Sequence, residues 1–198
     1  MNCVPKSISP CLETLKAVDG CILHLSWHQM RYDRTRKSLY NATTPHDLAT
    51  LLLPPEKGTY RIRIVYTDEI LNVEYIPHVE RDIKRFALVE SSLEYSYKYA
   101  DRKGIEALFL PEVDDVIIMQ EGKLKDTSIA NIALLIDDIW LTPQKPLLEG
   151  TTRARLLAEG FLKEAVLDKR SLQSASKFAI MNALIGFKII ENKLIEGI

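Results

Sequence analysis

Hydrophobic and polar positions alternate along several short segments of the chain, the pattern of β-strands with one buried face. Residues 11–18 and 21–26 are two runs capable of forming strands, and they flank the dipeptide Asp19-Gly20, which is typical of tight hairpin turns. Residues 60–66 alternate and are answered by residues 71–76, so a second hairpin is predicted there. The early part of the chain is therefore expected to form antiparallel sheet.

Apolar positions at helical spacing occur in fewer places. The sequence predicts helices at residues 27–40, 46–52, 102–109 and 151–160. Thr44 and Pro45 are expected to supply the N-cap and the first residue of the second helix, because proline is well tolerated at that position. In the last helix, which follows Gly150, one apolar stripe is expected to face a core: Ala154, Leu157, Ala158 and Phe161.

The second half of the chain is rich in short predicted strands. Residues 95–100 alternate strictly, which would place three tyrosines on one face of a strand and Lys98 on the other. The three tyrosines are Tyr95, Tyr97 and Tyr99. Further strands are predicted at residues 116–120, 130–136, 139–141, 165–167, 178–181 and 187–190.

This order of elements predicts a sheet-rich α+β fold, because helices and strands do not alternate as they do in parallel α/β proteins. Charged residues replace the alternation at residues 77–85, which is where the chain is expected to cross between two lobes. The predicted lobes are an N-terminal one, residues 1–82, and a C-terminal one, residues 83–198.

Composition and charge exclude several classes of protein. The 198 residues include 26 Lys and Arg against 27 Asp and Glu, a formal net charge of -1, which gives no electrostatic basis for binding nucleic acid or an anionic membrane. The longest apolar runs are too short to span a bilayer and the N-terminus shows no secretory signal, so a cytoplasmic location is expected. Cys3, Cys11 and Cys21 are expected to be thiols, and the scattered histidines predict no metal site.

Three blocks of sequence carry the most specific signal. They run from Gly122 through Lys-Leu-Lys-Asp-Thr-Ser-Ile-Ala to Asn131, over Trp140-Leu-Thr-Pro, and from Pro146 through Leu-Leu-Glu-Gly-Thr-Thr to Arg153. In this order they resemble the pyridoxal-phosphate enzymes of fold type IV, the class-IV aminotransferase family, which contains branched-chain aminotransferases, D-amino acid aminotransferases and 4-amino-4-deoxychorismate lyase. The resemblance implies a two-lobed fold like that of D-amino acid aminotransferase, with a small N-terminal α/β lobe and a larger sheet-rich C-terminal lobe, assembled as a homodimer.

A pyridoxal-phosphate enzyme needs a lysine that forms a Schiff base with the cofactor and an acid that faces the pyridine nitrogen. Lys98 begins the segment Lys-Tyr-Ala-Asp-Arg, which resembles the K-x-x-N-R element of the lyases, so the resemblance implies Lys98 as the Schiff-base and catalytic residue. Lys84 is the alternative. Asp126 stands where the family usually has a glutamate, and a carboxylate there keeps the nitrogen protonated and the ring an electron sink.

The third requirement is a cradle for the cofactor phosphate. Gly150, Thr151 and Thr152 open a predicted helix, where backbone N–H groups, two hydroxyls and the helix dipole favour an anion. Arg31 completes an H-x-x-R element that resembles the one whose arginine contacts the phosphate in the family, and Arg34 is the alternative.

Asn182 and Ala183 distinguish between the activities found in the family. Residues 181–184, Met-Asn-Ala-Leu, resemble the N-A-L-M segment of aminodeoxychorismate lyases, where the transaminases have a G-T-A type sequence. Asn182 and Ala183 are expected to contact the cofactor, as is Asn131 at the end of the first block. The resemblance therefore implies a lyase that converts a small amino substrate, 4-amino-4-deoxychorismate, to 4-aminobenzoate and pyruvate for folate synthesis. The alternatives are an aminotransferase for branched-chain or D-amino acids and a binding protein that kept the fold without catalysis.

The start of the chain departs from the family pattern. Residues 12–16, Leu-Glu-Thr-Leu-Lys, resemble the F-E-T strand that lines the substrate side in the family. The segment that precedes this strand in the family is expected to be missing here, so the N-terminal lobe is expected to be truncated.

Overall fold

A computed structural model describes residues 9–191 and 193–197, so Cys3 lies outside the described residues. The chain forms two compact units. The first contains the described residues up to His78 together with Tyr97–Asp101, and the second contains Val79–Ser96 and the described residues from Arg102 onward. Both units mix helices with a larger number of strands, and the predicted α+β class is confirmed.

Residues 97–101 lie in the first unit, although the boundary predicted after residue 82 would assign them to the second lobe. A backbone hydrogen bond from Leu12 N to Lys98 O (2.8 Å) explains the difference, because it ties this segment to the first strand of the chain. The predicted strand at residues 95–100 does not form. Tyr99 makes an isolated bridge with Cys11, and the tyrosine alternation does not lead to a regular ladder.

The first unit is built on an antiparallel sheet. Its strands are β1 (Cys11–Val18), β2 (Cys21–Ile22), β3 (Thr59–Tyr66) and β4 (Ile70–Pro77), and its helices are α1 (Leu25–Tyr40) and α2 (Leu48–Leu51). The strand order is β2-β1-β3-β4, so both predicted hairpins are confirmed. β2 is shorter than predicted because His24 adopts a left-handed φ of 52° and α1 begins directly after it.

The second helix is also shorter than predicted, and Thr44 is not its N-cap. Asp47 occupies that position, and its Oδ1 accepts a hydrogen bond from Ala49 N (2.9 Å). Aspartate is among the preferred N-cap residues, since its carboxylate satisfies N–H groups that the first helical turn leaves unpaired. The Thr-Pro signal therefore lies just before the helix.

The core of the first unit lies between α1 and one face of the sheet. Its fully buried members include Leu15, Tyr32, Ile62, Ile64 and Tyr66. Alternation along β1 places Glu13 on this same face, where the side chain has 0% exposure. A carboxylate in such a place is costly unless it is paired, and α1 supplies its partners.

The second unit contains a larger sheet. Its described strands are β5 (Arg85–Glu90), β6 (Asp115–Gln120), β7 (Lys123–Thr127), β8 (Asn131–Ile136), β9 (Ile139–Pro143), β10 (Lys163–Ala165), β11 (Lys177–Asn182), β12 (Gly186–Ile189) and β13 (Leu194–Glu196). Its helices are α3 (Lys103–Glu106), α4 (Thr151–Ala158) and α5 (Lys169–Ser174). The sheet order is β10-β9-β8-β7-β6-β5-β13, with β11 paired to β8 and β12 to β11. The sequence pattern did not predict β5, β7, β13 or α5.

Helix α4 buries only part of the predicted stripe. Its buried residues are Thr151, Thr152, Arg153 and Leu156, whereas Ala158 and Phe161 are exposed. The helix has only eight residues, and Leu156 packs with Ala179 and Met181 of β11, while Leu157 of the predicted stripe is half-buried against the same cluster. Across the described part of the chain, no helix combines the length and the apolar character needed to cross a membrane.

Candidate active site

Asp126 lies near the end of β7 and is 4% exposed. Its Oδ1 accepts a hydrogen bond from Asn131 Nδ2 (2.7 Å), and its Oδ2 accepts one from Leu148 N (2.9 Å). Burial raises the pKa of Asp126 to about 6, although these hydrogen bonds and the charge of Arg153 act in the opposite direction. The second unit therefore holds a buried carboxylate in one fixed orientation.

Asn131 connects this carboxylate to the loop before α4. Its Nδ2 also donates to Leu148 O (2.8 Å), so one amide group holds both Asp126 and the loop. Gly150 also lies against this amide group, since a Cβ atom added at Gly150 would lie 2.0 Å from Asn131 Oδ1. The motif residues Asp126, Asn131 and Gly150 are thus brought together in the structure.

The first turn of α4 forms the third part of this arrangement. Gly150 is its N-cap, with φ −71° and ψ 144°, and Thr151 and Thr152 follow with exposures of 7% and 6%. Glycine offers no side chain to cap the first N–H groups of the helix. Those N–H groups and the positive end of the helix dipole make this turn suitable for an anion.

Arg153 is the third residue of α4, and its positive charge acts on Asp126. Its Nη2 donates to Pro143 O (2.8 Å) and to Glu164 Oε1 (2.6 Å), and the side chain is 5% exposed. Its Nε is buried and has no hydrogen-bond partner among the described residues. Arg153 therefore contributes charge to the surroundings of Asp126 from a fixed position.

The Asn182 side chain binds the protein backbone on both sides. Its Oδ1 accepts from Leu184 N (2.9 Å) and Ile185 N (3.1 Å), which closes the turn between β11 and β12. Its Nδ2 donates to Ile129 O (3.2 Å). Ala183 lies half-buried within this turn. The Met-Asn-Ala-Leu segment thus has a structural role, and a cofactor contact by Asn182 or Ala183 stays a prediction.

In the first unit, Glu13 binds two side chains of α1. Arg31 Nε donates to Glu13 Oε1 (2.8 Å) and Arg31 Nη2 to Oε2 (2.6 Å), while His28 Nδ1 lies 2.8 Å from Oε2. Burial alone would raise the pKa of Glu13, but the charge of Arg31 and the hydrogen bonds outweigh it and lower the pKa to about 2. Arg31 is buried, whereas the alternative Arg34 lies on the exposed face of α1.

The two candidate lysines differ in their surroundings. Lys98 is half-buried in the first unit, and its carbonyl oxygen accepts from Leu12 N (2.8 Å). Lys84 belongs to the second unit, is 55% exposed, and its Nζ lies 2.6 Å from Asp82 Oδ2. The hydrogen bond and charge of Asp82 raise the pKa of Lys84. The structure thus leaves Lys84 on the surface as an ion-paired ammonium group.

Some important contacts have no signal in the local sequence pattern. Glu13 looks like any residue of an amphipathic strand, and Asp115 like the charged residue before an apolar run. Glu13 binds His28 and Arg31 of α1, and Asp115 accepts a hydrogen bond from Ser128 N. Because these partners are distant in sequence, only the folded chain identifies them. In the described residues, no group of three His, Cys, Asp or Glu side chains is placed to hold a metal ion.

Comparisons with known proteins agree on one family. The family model for aminotransferase class IV matches residues 99–192. An uncharacterised protein of Haemophilus influenzae is 31% identical over 185 residues, which covers 89% of this chain and 98% of the relative.

Solved structures show the same fold. A provisionally named 4-amino-4-deoxychorismate lyase from Haemophilus somnus has a TM-score of 0.81 and 30% identity, covering 90% of this chain and 97% of that chain. A hypothetical aminotransferase from Mycobacterium tuberculosis, in a pyridoxal-phosphate-bound form, has a TM-score of 0.79 and 17% identity, covering 96% of this chain and 82% of that chain. At this lower identity the second likeness concerns the fold alone.

Proposed function

Because this chain belongs to the aminotransferase class IV family, we propose that it is a pyridoxal-phosphate-dependent lyase that converts 4-amino-4-deoxychorismate to 4-aminobenzoate and pyruvate. The observation that carries the proposal is the buried carboxylate of Asp126, which Leu148 N and Asn131 hold and which Asn131 links to Gly150. A buried acid beside a helix start that suits an anion is the pairing that a pyridine nitrogen and a phosphate on one molecule require.

The residues of the second unit fit these two ends of the cofactor. A protonated pyridine nitrogen next to Asp126 would favour the ionised carboxylate and lower its raised pKa. Because Gly150 has no Cβ atom, the loop can lie directly against the Asn131 side chain. The hydroxyls of Thr151 and Thr152 and the first N–H groups of α4 are donors of the kind a phosphate accepts.

Lys98 and Arg31 have the remaining roles in this proposal. Lys98 would bind the aldehyde of the cofactor until the amine of the substrate displaces it there, and the freed Nζ would then take the proton from the substrate carbon that bears the amino group. When bound, the cofactor supplies an electron sink for that carbon. Arg31 would contact the phosphate, with Glu13 balancing its charge. Lys84 suits the lysine role less well, because its side chain is 55% exposed and its ammonium group is paired with Asp82.

Two observations support a lyase over a transaminase. The Haemophilus somnus protein, 30% identical to this chain, carries a provisional lyase name. The Met-Asn-Ala-Leu segment at residues 181–184 resembles the N-A-L-M segment of the lyases, where the transaminases have a G-T-A type sequence. The product, 4-aminobenzoate, would place the reaction in folate synthesis.

The proposal is tested by incubating the purified protein with pyridoxal phosphate and 4-amino-4-deoxychorismate. We expect 4-aminobenzoate and pyruvate in equal amounts. The fluorescence of 4-aminobenzoate measures the first product, and a coupled dehydrogenase assay measures the second. Lys98→Ala is the control, and it should form neither product. Accumulation of pyridoxamine phosphate after addition of an amino acid donor, without 4-aminobenzoate, would replace the lyase by an aminotransferase. Failure to bind pyridoxal phosphate at all would instead support the alternative of a protein that kept the fold without catalysis.

A further inference from the structure

The turn between Asp126 and Asn131 is held from two sides by side chains of other segments. Ser128 N donates to Asp115 Oδ1 (3.1 Å), and Ser128 O accepts from Arg102 Nη2 (2.8 Å). The backbone N–H and the backbone carbonyl of Ser128 are therefore both hydrogen-bonded to side chains. A rotation of this part of the turn would break at least one of the two contacts.

Asp115 is an unusual residue for the first position of a core strand. It begins β6 and is 1% exposed, and its Oδ1 also accepts from Val116 N (2.8 Å). Its Oδ2 has no hydrogen-bond partner within residues 9–191 and 193–197. Burial raises the pKa of Asp115, which reflects the cost of a carboxylate in this place. Beyond its own strand, Asp115 Oδ1 accepts from Ser128 N, and this contact accounts for a buried acid at the start of β6.

The position of this turn determines where the Asp126 carboxylate points. Asp126 and Asn131 pair directly across it, and their side chains are joined by the 2.7 Å hydrogen bond. Thr127 N donates to Ala130 O (2.8 Å), which closes the turn itself. A shift at Ser128 would therefore separate Asp126 from Asn131 and admit water to the carboxylate.

We propose that Asp115, together with Arg102, is a positioning residue that fixes the Ser128 turn and so orients the Asp126 carboxylate toward the pyridine nitrogen of the cofactor. The role of Asp126 in this inference rests on the proposed function. The two contacts of Ser128, with Asp115 and with Arg102, form what we call the clamp, and they do not depend on the proposed function.

Two substitutions separate this role from a simple effect of charge. Asp115→Ala removes a negative charge near Asp126, and Arg102→Ala removes a positive one, so their direct electrostatic effects on the pKa of Asp126 are opposite in sign. Loosening of the turn lowers the pKa of Asp126 in both variants, because burial is the largest influence on that pKa, and water reaching the carboxylate outweighs the loss of the hydrogen bond from Asn131. Asp114→Ala is the matched control. Its Oδ2 accepts from Lys84 N (2.9 Å) and Arg85 N (2.8 Å), so this neighbouring acid also binds backbone N–H groups, but not those of the Ser128 turn.

The first readout is the pKa of Asp126, which is measured by NMR of its carboxyl carbon in the protein without cofactor. The wild type should titrate at about 6, and both Asp115→Ala and Arg102→Ala should titrate lower. The second readout is equilibrium binding of pyridoxal phosphate, which should weaken about tenfold in both variants, the effect of one lost hydrogen bond to a charged group. Asp114→Ala should leave both readouts unchanged.

Opposite shifts of the Asp126 titration in the two variants would mean that only charge is at work, and would overturn the proposal. An unchanged titration in a folded Asp115→Ala protein would do the same. If Asp115→Ala does not fold, Arg102→Ala decides alone, because Arg102 is only half-buried. If the wild type binds no pyridoxal phosphate, the proposed function fails, whereas a lowered titration in both variants still supports the clamp.

Discussion

Gly150 approaches Asn131 so closely that no larger residue fits at this position. A Cβ atom there would lie 2.0 Å from Asn131 Oδ1, far inside van der Waals contact. The φ of Gly150 is −71°, which any residue adopts, so the restriction is one of space and not of backbone conformation. Since Asn131 also holds Asp126, a change at Gly150 is expected to reach the buried carboxylate.

Gly150→Ala is therefore expected to displace Asn131, to lower the free energy of unfolding by about 1–3 kcal/mol, and to weaken binding of pyridoxal phosphate. Chemical denaturation and equilibrium titration measure the two effects. Gly160→Ala is the matched control just beyond the other end of α4. Gly160 has φ +73° and open space around it, so alanine there should cost about 1–2 kcal/mol of stability without affecting cofactor binding. Equal cofactor affinity in both variants would contradict the role given to the Gly150 contact.

The choice between Lys98 and Lys84 is tested by borohydride reduction of the protein with pyridoxal phosphate, followed by peptide mapping. The label is expected on Lys98, because Lys84 is exposed and its ammonium group is held in an ion pair with Asp82 (2.6 Å). Lys98→Ala should abolish both the label and turnover, and Lys84→Ala should change neither. Label on the peptide that contains Lys84 would make Lys84 the Schiff-base lysine.

Glu13→Gln should destabilise the protein in a pH-dependent manner. The pKa of Glu13 is lowered from 4.5 to about 2, so its carboxylate stabilises the folded state above pH 4.5, and this stabilisation is lost as the pH falls toward 2. At pH 7 the substitution also leaves Arg31 buried without its counter-charge, and we expect a loss of about 3–5 kcal/mol. The difference from wild type should narrow below pH 4.5.

The matched control for this prediction is Glu74→Gln. Glu74 also pairs with an arginine of the first unit, Arg63 (2.8 Å), but its side chain is 42% exposed. A surface pair of this kind contributes less than about 1 kcal/mol, and its loss should depend little on pH over the same range. A similar small effect for both variants, measured by denaturation at several pH values, would contradict the buried pairing of Glu13.

Asp126→Asn should have the opposite dependence on pH. The pKa of Asp126 is raised from 3.8 to about 6, so the folded protein without cofactor loses stability as the pH rises through this range, by about 3 kcal/mol in total. The neutral asparagine lacks this decline. The stability of Asp126→Asn relative to wild type should therefore increase between pH 4 and pH 7, while turnover with the cofactor should fall, since an amide does not hold the pyridine nitrogen protonated. Parallel stability profiles for the two proteins would show that Asp126 titrates normally.

The candidate site was predictable from sequence to the extent that its residues lie in compact motifs. Asp126, Asn131 and Gly150 stand in neighbouring blocks, and the structure brings them together through Asn131 Nδ2 and Leu148. Their roles toward a cofactor stay predictions. The contacts of Glu13 with His28 and Arg31 were not predictable, because a pattern of alternation shows that a position is buried but not which side chain from another element meets it.

Local patterns alone determined the two hairpins of the first unit and the start of α4, because side-chain periodicity and turn residues act over a few neighbouring positions. Only the tertiary structure decided the fate of residues 95–100. Their strict alternation favours a strand, yet Leu12 N binds Lys98 O and the segment stays irregular. The same holds for Asp115 and Ser128, whose hydrogen bond joins residues 13 positions apart. Such contacts depend on how distant elements pack, and a short window of sequence does not contain that information.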